Sequence, residues 1–151
     1  LYDSLIVATD AHRSGRSGWE ESERQRQQWL QQFVRAFGND MAEESNSFDG
    51  TIPQALMMMN TNAKPQGGDQ ATLMSGAVSL ESGSHLAELI AAPGAPNVKI
   101  QKLYMTALSR MPSRLELTTL QKAWGASRDP RGAYQDIFWA LLNSNEFILI
   151  H

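Results

Sequence analysis

The sequence contains no cysteine, which removes disulfides, zinc–thiolate sites, thiol nucleophiles and covalent haem attachment from this chain. Histidine is nearly as scarce. His12, His85 and His151 stand far apart, without the i, i+4 pairing that sets two metal ligands on one helical face. Apolar runs are short, and none approaches the ~20 residues that a membrane-spanning helix requires. A formal net charge of −3 leaves no cationic surplus for phosphate backbones or anionic lipid, so neither nucleic acid nor a membrane span is expected. The sequence also lacks alternating apolar–polar runs of useful length, internal repeats and a Gly-x-Ser-x-Gly elbow.

What remains is a chain of 151 residues, 42% hydrophobic and 19% charged, which is ordinary for one globular domain spanning 1–151. The periodicity predicts an all-α fold, a bundle of about six to eight helices with a helical hairpin towards the C-terminus. Apolar residues are densest from Ala133 to Ile150. There Tyr134, Ile137, Phe138, Leu141 and Leu142 share one helical face, and Trp139 and Ala140 widen it enough that cover on several sides is expected. Phe33, Leu103, Leu108, Phe138 and Leu142 are expected in one core. The chain opens at Leu1 without an initiator Met or a signal-type segment, so it reads as the C-terminal piece of a longer multidomain protein.

Helix boundaries come from caps and stripes. Tyr2, Leu5, Ile6 and Thr9 line one face of a first helix. Ser17-Gly18-Trp19-Glu20 has capping-box spacing before a long helix with Trp29, Leu30, Phe33, Val34 and Phe37 as its stripe, ended by Gly38-Asn39. After an acidic loop, Thr51-Ile52-Pro53-Gln54 opens another helix, and Asp69 caps one that runs towards Leu80. Ser84 starts a short helix with Leu86, Leu89 and Ile90 inward. Asn97 caps an amphipathic helix whose stripe is Ile100, Leu103, Tyr104, Ala107, Leu108 and Met111. Ser113 and Glu116 form a second capping box ahead of Leu117, Leu120 and Trp124, and Asp129-Pro130 opens the core helix.

Four ordered blocks carry a resemblance: Trp29–Gly38, Asp49–Asn60 with Pro53-Gln54-Ala55-Leu56 at its centre, Leu103–Arg110 and Trp139–Phe147. Together they resemble the C-terminal part of the planctomycete family called domain of unknown function 1553. The resemblance implies an exported or cell-envelope protein in which this segment follows a second domain of unknown function and, in many members, a c-type cytochrome domain. It therefore implies no cofactor in this segment, with haem c in a separate domain, and the upstream domains of the same polypeptide as partners, alongside another protein. Many relatives carry a cysteine-containing acidic segment where Glu43 to Asp49 has none, so no thiol or metal role transfers there. The family has no established reaction. The polar members of the matching blocks, Asp49, Gln54, Asn60, Arg110, Asn143 and Glu146, are the binding candidates; the structural reading is that Arg110 bonds terminal carbonyls of its helix, Asn60 is a C-cap and Ser144 caps the last short helix.

Other chemistry is weakly signalled. Asp40, Glu43, Glu44, Asn46 and Asp49 are oxygen-rich, but their spacing is not that of the calcium loop, and they read as a solvated acidic loop. His12, Arg13 and Arg16 beside Ser14, Gly15 and Ser17 suit a phosphate or sulfate held on backbone and guanidinium donors, without the spacing of a phosphate-binding loop. Ser84 and His85 adjoin in sequence, which is no evidence for a triad. Glu20-Glu21 and Glu43-Glu44 are side by side and so do not face one another. Met57, Met58 and Met59 suit core filling or an adaptable groove, and Trp19 is either an exposed contact residue or a cap-side anchor. With no acid, base and nucleophile set in one place, the expectation is a helical interaction or scaffolding module with no catalytic residues of its own. The alternative is a segment that completes an enzyme active site built mainly by the upstream domain.

Overall fold

The first helix forms because Tyr2, Leu5, Ile6 and Thr9 recur at helical spacing, and these four residues are the ones it buries. In the computed structural model, which describes residues 1–37 and 72–150, this is α1 (Tyr2–Thr9). It stops at Asp10, whose left-handed backbone (φ 49°) turns its N–H back to the Ile6 carbonyl. A 3-10 turn, Ala11–Arg13, leads towards α2 (Trp19–Phe37). The first bond of α2 runs from Ser22 N to Gly18 O, so the cap position is Gly18, one residue later than the Ser17 box predicts.

The stripe of α2 also differs from expectation. Trp29 is buried and Phe33 packs half-buried against Tyr2, but Leu30 is 43% exposed and Val34 55%. Ser22 and Gln25 are buried in their place. The inward face is the one that meets the 3-10 turn, where polar partners exist: Gln25 Oε1 accepts from Arg16 Nη2 at 2.9 Å and Ser22 Oγ donates to Gly18 O at 3.0 Å. Polar side chains are tolerated inside when so bonded. The predicted end at Gly38-Asn39, the acidic loop, the helix from Thr51, the three Met residues and the Asp69 cap lie outside the described residues.

After that stretch, Thr72 caps the short α3 (Leu73–Ala77), which stops before Leu80. Ser84 caps α4 (His85–Ala91) as predicted, with Leu86 and Leu89 buried. The next helix, α5 (Pro96–Leu108), starts earlier than the predicted Asn97 cap. Its cap is Ala95, and Pro96 takes the first helical position, where a fixed φ and a missing N–H carry no penalty. Its stripe is buried through Leu108. The chain then turns at Ser109 (φ 53°), which leaves Met111 outside the stripe and 53% exposed.

In α6 (Arg114–Ala126) the predicted capping box is complete: Ser113 Oγ accepts from Glu116 N at 3.2 Å and the Glu116 carboxylate accepts from Ser113 N at 2.7 Å. Asp129 caps α7 (Pro130–Leu142), and Ser144 Oγ accepts from Phe147 N at the start of α8 (Asn145–Ile150).

The helices from Pro96 onward pack on their sequence neighbours: α5 lies against α6, α7 and α8, and α6 forms the expected hairpin with α5. The N-terminal elements are drawn in from farther away, α1 against α3 and α4, and α4 against α7. One apolar cluster runs through Leu5, Trp29, Leu86, Leu103, Phe138, Leu142 and Phe147, with Leu108 inside it and Phe33 at its margin. Burying a side chain such as Phe138, which has no exposed surface, contributes about 1.5–3 kcal/mol. Cover of α7 is one-sided rather than all round, since Ala140 is exposed and Trp139 only partly buried. Alanine is small enough to stand in water at little cost. Among the described residues there are eight α-helices, one 3-10 turn and no strand, an all-α architecture.

Candidate functional site

Two of the binding candidates, 36 positions apart in sequence, meet in space. Arg110 sits just past the end of α5, in the link to α6, and Glu146 stands in the first turn of α8. Arg110 Nε donates to Glu146 Oε1 at 2.6 Å and Nη2 to Glu146 Oε2 at 2.8 Å. The same guanidinium also forks onto Glu116 at the start of α6, from Nη1 at 3.0 Å and Nη2 at 2.8 Å. Nη1 further donates to Met111 O at 3.2 Å, so all five guanidinium N–H groups have acceptors. The ring of Tyr104 lies 5.3 Å below the guanidinium carbon.

The electrostatics follow from these contacts. Hydrogen bonds from Arg110, then from Ser113, hold the Glu116 carboxyl down at about 2, and Arg110 also depresses Glu146. Both carboxylates in turn raise Arg110 above its ordinary value, and burial, with Glu116 next, raises Tyr104. Two ionised carboxylates bridged by one saturated cation have neither a proton to give nor a base to offer near neutral pH. The cluster staples α5, α6 and α8 together, which is the structural reading of Arg110 and Glu146.

Asn143 is likewise a cap: it ends α7, and its Nδ2 donates to Trp139 O at 2.9 Å. Asp49, Gln54 and Asn60 lie outside the described residues, as do the acidic calcium candidates and His151. Ser84 and His85 do not form a catalytic pair. Ser84 Oγ lies 2.7 Å from Ser79 O and 2.9 Å from Glu81 O, while His85 Nε2 faces Thr106 Oγ1 at 3.1 Å. Glu20 and Glu21 are exposed on α2. Among the described residues no group of His, Asp and Glu could hold a metal ion, and no helix is long and apolar enough to cross a membrane.

The candidate His12, Arg13 and Arg16 do converge. They line an open cleft of about 480 Å³, together with Asp10, Trp19 and Glu23. Arg16 is fixed there by Nη1 to Ser14 O and Nη2 to Gln25 Oε1, both at 2.9 Å, with its guanidinium 6.0 Å from the Trp29 ring. Among the described residues Arg13 has only a loose pair with Asp10 at 3.9 Å. His12 Nδ1 is sealed from solvent with no partner among the described residues, and burial lowers the pKa of the ring despite the opposing pull of Asp10. Trp19 stands 78% exposed and so is not a buried cap-side anchor.

Sequence reasoning finds Glu116 only as a capping residue and gives no hint of its pairing with Arg110. An Arg just past a helix end followed by a capping-box Glu would have been a usable signal. Comparison with protein-family profiles, with curated proteins and with solved structures returns no match to this chain.

Proposed function

We propose that this chain is a helical interaction or scaffolding module that docks against the upstream part of a longer exported polypeptide, in keeping with its resemblance to the planctomycete domain of unknown function 1553. On this reading haem c, where present, belongs to a separate domain of that polypeptide. The observation that carries the proposal is the contrast between spent charge and exposed apolar surface. The strongest charge cluster among the described residues, Arg110 with Glu116 and Glu146, is saturated internally, whereas Val7 of α1 and Leu30 and Val34 of α2 stand in water at 79%, 43% and 55% exposure. Leu30 and Val34 are one turn apart, and Leu30 follows by one turn the Arg26 that pairs with Asp3 of α1 at 3.5 Å. Val7 is one turn beyond Asp3. Exposed apolar residues beside an exposed ion pair offer the mixture of apolar and charged surface that docking faces use.

Affinity capture of the separately expressed upstream portion tests this. The wild-type chain is expected to retain it, and Leu30→Glu with Val34→Glu to weaken retention by roughly tenfold or more at an unchanged melting temperature. Loss of capture in the wild type sinks the proposal. Turnover of a substrate by the two portions together, with none by either alone, would replace it with the active-site-completing alternative.

A further inference from the structure

The cleft beside the 3-10 turn uses none of the residues of the docking face, and its chemistry is of a different kind. Its cations are Arg13 and Arg16, because burial of His12 keeps that ring neutral at physiological pH. Arg16 is the better prepared of the two. Ser14 O and Gln25 Oε1 take one hydrogen from each Nη and the Trp29 ring lies alongside, so the guanidinium is already ordered and still has Nε–H and one hydrogen on each Nη to donate. A planar fork with parallel N–H groups suits a carboxylate, which accepts two of them at once. Arg13 can turn from its loose contact with Asp10 at small loss, since an exposed pair at 3.9 Å contributes little. Trp19 supplies a broad apolar face at the same cleft, 78% exposed.

The rim decides the ligand's charge. Asp10 and Glu23 line the same space and their charges offset those of Arg13 and Arg16, so a doubly charged phosphate finds no surplus positive charge to offset its larger desolvation cost, which grows with the square of the charge. We propose that this cleft binds a small monocarboxylic acid with a flat apolar body, its carboxylate held by Arg16 and Arg13 and its body laid against Trp19. A volume of about 480 Å³ accommodates a ligand of that size.

The test is a titration of the nitrogen-15-labelled chain with benzoate, followed through the Trp19 indole N–H and the Arg16 Nε–H signals, with phenyl phosphate and benzamide as parallel arms. Expected are saturable shifts at both signals with a dissociation constant on the order of 1 mM, as befits a fragment-sized ligand. Phenyl phosphate should bind more weakly, benzamide should not saturate, and added salt should weaken benzoate. Arg16→Gln should weaken benzoate by roughly tenfold. Because Arg16 also braces Gln25 and Trp29, Arg13→Gln and Trp19→Leu are the companion variants, and each should weaken binding in a chain of unchanged melting temperature. Shifts that never saturate, equal response to benzamide, or affinity untouched by Arg13→Gln and Trp19→Leu would overturn the site. Tighter binding of phenyl phosphate would overturn the monocarboxylate assignment. Capture of the upstream portion is read separately, so failure here leaves the docking proposal standing.

Discussion

Replacing Glu116 by Gln isolates one charge in the staple at the end of α5. Gln keeps the third position of the capping box, where an amide oxygen can still accept from Ser113 N, and what disappears is the charge facing Arg110 at 2.8 and 3.0 Å. Taken at face value, the drop of the Glu116 carboxyl from 4.5 to about 2 corresponds to about 3 kcal/mol of native-state stabilisation. Its side chain is 33% exposed and that of Arg110 37%, so water screens the interaction and exposed pairs set the scale. The expected loss at pH 7 is therefore about 1 kcal/mol, or a melting temperature lower by about 2–4 °C for a chain of this size. The pH dependence gives the sharper readout. A carboxyl depressed in the folded state contributes its full stabilisation above its unfolded value of 4.5 and loses it as the pH falls towards about 2. Glu146 is also depressed but is present in both proteins, so it largely cancels in the difference. Calorimetric melting temperatures of wild type and Glu116→Gln should differ at neutral pH and converge as the pH drops through that window. A gap that stays constant down to pH 2, or no gap at pH 7, would refute the assignment of the stabilisation to this ion pair.

Two further substitutions address the scaffold. Phe138→Ala empties the centre of the core, where the side chain has no exposed surface, and should cost about 3–5 kcal/mol, lowering the melting temperature by about 10 °C; an unchanged value would place the core elsewhere. Ser84→Ala removes a buried hydroxyl that accepts from Ala87 N and bonds the Ser79 and Glu81 carbonyls, and should cost about 1–2 kcal/mol in denaturant unfolding; a loss within error would mean that the cap does not hold the start of α4.

Helix starts are the readable part of this sequence because capping is local: Ser84, Ser113 with Glu116, and Asp129 each bond within three residues, so the spacing alone predicts them. Where two local signals compete, the stiffer one wins, as when Pro96 sets the start of α5 ahead of Asn97. The rotation of α2 is not local. Whether Leu30 or Gln25 turns inward depends on Arg16 in the preceding segment, and composition favours the leucine until that partner is placed. The staple is less readable still. Arg110 and Glu146 are identifiable as polar residues in apolar blocks, but their meeting across 36 positions depends on how α8 folds back over α5. The cleft lies between these cases, since its cations are neighbours in sequence, whereas the exposure of Trp19 depends on where α2 begins.

The packing order described above also bears on how the chain reaches its fold. The contacts among α5, α6, α7 and α8 close short loops, so their chain-entropy cost is small and they can form early and quickly. The contacts of α1 with α3 and α4 span more than half a hundred residues of intervening chain and must wait for a larger closure. The C-terminal half is thereby cast as the nucleus on which the N-terminal helices settle last. Because Val7 belongs to the late-settling α1, the proposed docking face is completed only when the N-terminal helix has packed, whereas the cleft, lined by residues between Asp10 and Glu23, needs only local closure.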